Sequence, residues 1–407
     1  MNRKWMLLLL MMTSTLFISG CWSKKELNEL AVISAIGLDL NEEGKYVKTL
    51  QIINPGNVAG GLQGGGGGSN PSVTVYKATG DTVLEAHENA SKKIPRRLYH
   101  AHADLLVISD KLAKEEGIVK ILDAFERDPE IRTTMTVAIA HDVKASEIIE
   151  TLTGIEKIPA ERVLKTLKTT EELKGQHINV TIQDLIRNFT SPGKETVLSG
   201  FYMKGDSKDG KKMENIQESH PEASAYADGL AIFKKGKLID VYKGEMARGV
   251  VWILDKVQTT DIEVDWKEEK EAVSYLVIRQ KTKVSVQTKN GKPKITVHVR
   301  AEGDIREIRT AIDLTEPAVI LDIEKALNKE IKKQLEQTIK RTQENKSDIF
   351  GFGEKVHEAD PKTWKKLEDD WNDVTFPKLE VDVKVEAFVR RNGLRNKSYL
   401  SEMEGNR

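Results

Sequence analysis

Cysteine is nearly missing from this chain: Cys21 is the single one among 407 residues. One copy of the chain therefore cannot form an internal disulfide, and packing must hold the fold together. A surplus of charge is missing too, because 63 basic residues balance 63 acidic ones. Nucleic-acid binders carry a clustered basic excess, so no nucleic-acid partner is expected. Long apolar runs occur only at the start. Beyond them nothing approaches the roughly 20 residues that cross a bilayer core. The whole chain, with 39% hydrophobic and 31% charged residues, has ample material for globular cores.

Recognisable catalytic patterns are also lacking. Gly64 to Gly68 form an unbroken glycine run, but Ser69-Asn70-Pro71 follows it. A phosphate loop needs Gly-Lys-Ser/Thr at that point, with lysine reaching the phosphates, so the run reads as a flexible loop. His100, His102 and Asp104 stand at i, i+2 and i+4, and a strand would turn all three to one side. Three such groups resemble an open zinc site, but no HExxH pair supports them and the other histidines are scattered. No Gly-x-Ser-x-Gly elbow occurs. We therefore expect no enzyme activity and assign no catalytic residue, no cofactor and no metal.

What is present begins with a leader. Asn2-Arg3-Lys4 is a short basic start, and residues 5–17 are apolar apart from Thr13, Ser14 and Thr15. Small residues then lead into the cysteine, the layout of a secretory signal peptide. The run is about 13 residues, too short for a permanent span. Ile18-Ser19-Gly20-Cys21 resembles a bacterial lipobox. That motif implies an S-diacylglyceryl group on Cys21, removal of residues 1–20, and N-acylation of the cysteine exposed at the new terminus. The lone thiol then needs no partner, and the two chains of the diacylglyceryl group give stable anchoring. Arg3 and Lys4 leave with the leader, so the body carries 61 basic against 63 acidic residues.

Along the body, 29–40 and 46–53 read as a hairpin around Asn41-Glu42-Glu43-Gly44. A low-complexity loop at 55–72 precedes a strand at 73–78. Thr82 and Glu85 open a helix as a capping box. A strand at 105–108, a single helix over 110–127, a strand at 134–140 and a helix at 145–152 follow. Residues 154–195 are mostly helical. A strand at 197–204 and a charged excursion at 205–222 lead to a second hairpin, 227–233 with 238–242. In the last third, strands are expected at 273–279, 283–287 and 295–300, with Asn290-Gly291 as a type I′ turn. Ile320, Ile323, Leu327, Ile331, Leu335 and Ile339 mark one face of a helix over 317–344. Asp360-Pro361 starts another helix, on which Trp364, Leu367 and Trp371 share a face. Leu379, Val381, Val383 and Val385 alternate with charged residues as a half-buried strand. Ser347 to Gly353, with two phenylalanines among glycines, reads as a structural hinge whose rings pack on the core.

The fold class is therefore α/β (α+β). The expected division is an N-terminal α/β domain over 21–195, a small middle domain over 196–256, a C-terminal α/β domain over 257–395 and a polar tail at 396–407.

Several of these segments together resemble one family. They are Cys21-Trp22, then Glu26-Leu27-Asn28-Glu29-Leu30-Ala31 leading to Ala35-Ile36-Gly37-Leu38-Asp39. Leu112-Ala113-Lys114-Glu115-Glu116-Gly117 and Arg127-Asp128-Pro129-Glu130-Ile131-Arg132 continue the match. Ser347-Asp348-Ile349-Phe350-Gly351-Phe352-Gly353, Trp364, Trp371, the valine strand and Arg390-Arg391-Asn392-Gly393 complete it. In this order they resemble the Ger(x)C family, the C subunits of spore nutrient-germinant receptors, over nearly the whole mature chain. The glycine run departs from the family pattern. The resemblance implies a lipoprotein on the outer face of the spore inner membrane, beside integral membrane subunits called A and B. It also implies three mixed domains, each a sheet with packed helices, in an elongated arrangement. Only Cys21 carries over with a chemical role, and whether this subunit touches a small molecule is left open. Two other classes compete: a solute-binding lipoprotein of a transporter, which needs a ligand cleft, and a cell-wall hydrolase, which needs catalytic motifs not found here.

Overall fold

The computed structural model describes residues 3–5, 26–59 and 71–391; Cys21, the glycine run and the 396–407 tail lie outside the described residues. The first hairpin forms where expected. Strands β1 (Leu30–Leu40) and β2 (Tyr46–Ile53) pair antiparallel across a turn in which Asn41 Oδ1 accepts from the backbone N–H groups of Glu43 and Lys45. Seven further strands complete a mixed sheet: β3 (Val73–Gly80), β4 (Arg97–Tyr99), β5 (Leu105–Ser109), β6 (Thr136–Ala140), β7 (Val197–Lys204), β8 (Ser224–Lys234) and β9 (Lys237–Tyr242). The order is β3-β2-β1-β5-β6-β7-β8-β9, with β4 alongside β1. The central strands β1, β5, β6 and β7 run parallel, and antiparallel hairpins flank them. Strands from the 196–256 stretch thus continue the first sheet.

Parallel strands are buried on both faces, and β5 and β6 are buried at every residue. Leu105 and Val107 pack on one side with Ile148, Ile149, Val163 and Leu167. These come from helices α4 (Ala145–Glu150) and α5 (Pro159–Lys174). Leu106 and Ile108 pack on the other with α1 (Val83–Ser91), α2 (Asp110–Glu115) and α3 (Val119–Glu126). Thr82 Oγ1 caps α1 by accepting from Glu85 N–H at 3.1 Å. The Glu85 carboxylate reaches past Thr82 to Asp81 N–H at 2.7 Å, so the expected box is displaced by one residue.

The single helix expected over 110–127 is two. Gly117 breaks it with φ +79°, and Ile118 N–H then donates to Gly236 O at 2.8 Å. A Cβ on Gly117 would lie 2.8 Å from that same oxygen, so the break is where the β8–β9 turn docks.

Beyond α6 (Ile182–Thr190) and α7 (Gly244–Ile253), a second sheet has the order β10-β11-β12-β13. Its strands are β10 (Thr260–Trp266), β11 (Glu269–Lys289), β12 (Lys292–Ile308) and β13 (Glu380–Arg391). The expected pieces 273–279 and 283–287 are one long strand. A register shift at Val277/Arg279 and the polar run Arg279-Gln280-Lys281 interrupt its apolar alternation. Asn290 and Gly291 both take positive φ, 54° and 72°, as a type I′ turn demands.

Helix α8 (Pro317–Glu344) matches its expected span and buries Ile323, Leu327, Ile331, Leu335 and Ile339. Each such side chain contributes roughly 1.5–3 kcal/mol relative to exposure. The helix also covers the open edge of the sheet. Asn328 Oδ1 accepts from Ala387 N–H, and Glu324 Oε1 from Val389 N–H, which removes free pairing groups from β13. A helix that the sequence reading left out, α9 (Phe352–Ala359), precedes α10 (Pro361–Leu367). Trp371 lies past the end of α10, in a π-helical turn, yet its ring still meets Trp364 edge-on at 5.3 Å.

Candidate functional site

Cys21 heads the candidate residues, and the described body begins five positions later at Glu26. A single 3₁₀ turn, Leu27–Glu29, passes directly into β1, which lies inside the large sheet. Leu30, the first residue of β1, pairs with Arg97 of β4. Arg96 and Arg97 are exposed at this end of the sheet. Arg97 is partly neutralised by Glu130 at 3.2 Å.

The histidine trio does not converge. β4 ends at Tyr99, and 100–104 is a turn in which Ala103 N–H donates to His100 O at 2.8 Å. His100 is buried with its ring centroid 4.9 Å from His87, while His102 and Asp104 are exposed. Burial, and then the nearby Lys48, hold the His100 imidazole down to about 4. A different group comes together instead. His141 Nδ1 lies 3.7 Å from Asp110, and its Nε2 lies 3.2 Å from Asp142. Asp110 is also engaged by Lys114 at 2.7 Å, so its charge is already met within α2. Spacing in the sequence could not reveal this group, because β5 and β6 bring Asp110 to His141 from 31 positions away.

The 347–353 segment is a buried joint. Asp348 is fully buried and accepts from Phe352 N–H at 3.1 Å, Gly353 N–H at 2.7 Å and Trp371 Nε1 at 2.9 Å. Its backbone carbonyl accepts from Glu195 N–H at 2.9 Å, and its own N–H donates to Asn372 Oδ1. Ser347 Oγ donates to Phe233 O, and Asn372 Nδ2 to Glu195 Oε1. The first sheet is thus tied to the C-terminal helices through a satisfied polar network. Burial raises the Asp348 carboxyl to about 6 against the pull of its donors. Phe350 and Phe352 pack into the same core with rings 5.1 Å apart, so the aromatics are internal and offer no docking surface.

Comparison with known proteins bears on this arrangement. Residues 23–201 match the family described as spore germination protein N-terminal domain, and 228–393 match spore germination B3/GerAC like, C-terminal. Spore germination protein KC of Bacillus subtilis (strain 168) is 45% identical over 97% of this chain and 98% of its own length. The chain belongs to the Ger(x)C family of spore germination proteins. Other Ger(x)C relatives are more distant. Spore germination protein B3 of the same strain is 21% identical over 92% of this chain and 95% of its own. GerQC of Bacillus cereus is 21% identical over 96% of this chain and 99% of its own. The crystal structure of the GerBC protein superposes with a TM-score of 0.55 at 17% identity, covering 88% of this chain and 97% of that one, which shows the common fold. The family is that of germinant receptor C subunits, and its members act in spore germination.

Proposed function

We propose that this protein is the lipid-anchored C subunit of a nutrient germinant receptor. It works through assembly with the integral membrane A and B subunits on the outer face of the spore inner membrane. Cys21, diacylated and freed of the leader, is the anchor.

The observation that carries this reading is the shortness of the tether. Glu26 is five residue steps from Cys21, with four residues between them, and a fully extended chain spans at most about 3.6 Å per step. Glu26, just before β1, is then held within roughly 18 Å of the lipidated cysteine. Arg96 stands exposed near that end of β1, where anionic headgroups attract a basic side chain by about 1 kcal/mol. Confinement of this kind raises the effective concentration of the body towards membrane partners without any new contact. Among the described residues no helix is long and apolar enough to cross a membrane.

Cys21→Ala tests the reading directly. The variant is expected to leave the membrane fraction and lose most nutrient germination while its body still folds. Normal nutrient germination by spores carrying the folded, unlipidated variant would overturn it. Deletion of the gene is expected to abolish one nutrient response and leave germination on calcium dipicolinate, which bypasses nutrient receptors, intact.

A further inference from the structure

A cleft of about 470 Å³ opens between α5, the 152–156 loop and the 214–221 segment. Pockets for small molecules commonly measure about 300–1,000 Å³. Its walls are largely apolar. Leu152, Ile216, Thr166 and Thr169 are among its lining residues, and Ile155 stands 96% exposed beside them.

One cation breaks this apolar wall. Arg162 is part-buried and donates from Nη2 to Ser224 Oγ. Among the described residues no carboxylate oxygen lies within 4.0 Å of its guanidinium, and burial pulls that group below its ordinary value. The other charges of the cleft are accounted for differently. Lys165 is met by Glu156 at 2.7 Å, and Glu218 is exposed. A half-buried guanidinium with one protein acceptor has N–H donors left for a ligand. Its planar fork fits a carboxylate bidentately, which a lysine in the same place would not do.

We propose that this cleft binds a small organic carboxylate, with its apolar body between Leu152 and Ile216 and its charge on Arg162. The inference rests on the cleft itself and is independent of the receptor reading, since binding to purified protein is measured apart from germination.

The test is calorimetric titration of the full chain in an uncharged detergent, with 4-methylpentanoate, its amide and inorganic phosphate as probes. Saturable binding of the carboxylate is expected, with the amide and phosphate each weaker by about tenfold or more. Arg162→Gln should weaken carboxylate binding by a similar factor. Thr169→Trp, which fills the cleft and keeps the arginine, should abolish it and serves if the first variant fails to fold. The proposal is overturned if the carboxylate shows no saturation or if the amide binds equally well. It also fails if phosphate binds as tightly, which would mean a bare anion site, or if both variants bind like the parent.

Discussion

Asp348 is fully buried and Arg162 is half-buried in the wall of a cleft, and the fold handles these two charged groups in opposite ways. Around Asp348 each carboxylate oxygen has a donor, supplied by Phe352, Gly353 and Trp371, and its backbone groups bind Glu195 and Asn372. Arg162 has Ser224 and an open cleft. A closed network of this kind fixes two parts of the chain in one arrangement. A charge left short of partners beside apolar walls holds nothing comparable together. The contrast separates a structural polar site from one available to a ligand, and it can be attacked from both sides.

The largest effect is expected at the joint. Asp348→Ala leaves Trp371 Nε1 and the N–H groups of Phe352 and Gly353 buried without acceptors, at about 1–3 kcal/mol for each lost partner. A total loss of about 3 kcal/mol or more should appear in the urea unfolding midpoint. A loss below about 1 kcal/mol would mean that the network is ornamental, and the comparison would fail.

Buried rings without a hydrogen bond supply a third case. Among the described residues neither ring nitrogen of His100 or of His177 is hydrogen-bonded, and burial holds both imidazoles at about 4. Their folded values lie below the unfolded one, so the unfolded chain binds more protons as pH falls from 6.5 towards 4. Stability should therefore drop through that window, by on the order of 3 kcal/mol per histidine at its lower end. Asp348 acts in the opposite sense. Its raised value, about 6, favours the folded state at low pH and withdraws that contribution as pH rises through 6. Urea midpoints across this range check the balance, and His100→Leu should remove about half of the acid sensitivity.

Gly193 probes the joint by shape. Its φ is +60°, and an added Cβ would lie 2.4 Å from Trp364 Cη2 and 2.9 Å from Gly353 Cα. Gly193→Ala should cost about 1–3 kcal/mol, through overpacking and a left-handed backbone, with thermal unfolding as the readout. An unchanged midpoint would show that the joint yields more easily than its hydrogen bonds suggest.

Local pattern explains which parts of this structure were legible beforehand. Helix α8 repeats its isoleucines and leucines over many turns, and its Pro317–Glu344 span was readable. The hairpin turn at Lys235-Gly236 and the one at Asn290-Gly291 carry their own conformational signatures. The break at Gly117 has a local sign, a glycine of positive φ whose N–H donates to Leu112 O, but the Gly236 carbonyl that docks beside it lies more than a hundred residues away. Strand β11 was divided because Arg279, Gln280 and Lys281 interrupt the alternation while the backbone pairing continues. Cys21 is singled out by sequence alone because a leader motif is contiguous. Arg162 carried no such signal: α5, the 214–221 segment and the 152–156 loop assemble its surroundings only in the folded chain.

The smallest effect on stability is expected at Arg162 itself. Replacing it with glutamine removes the bond to Ser224, a loss of about 0.5–1.5 kcal/mol for an ordinary hydrogen bond. It also relieves the partial desolvation of a half-buried cation, which acts in the opposite direction. The two nearly cancel, so the urea midpoint of Arg162→Gln should stay within about 1 kcal/mol of the parent. This near-neutrality is what distinguishes a binding group from a structural one. A residue retained for the fold must cost stability when removed, as Asp348 should, whereas one retained for a ligand need cost only affinity. If Arg162→Gln unfolds as readily as Asp348→Ala, the guanidinium is a structural strut and the contrast between the two regions collapses.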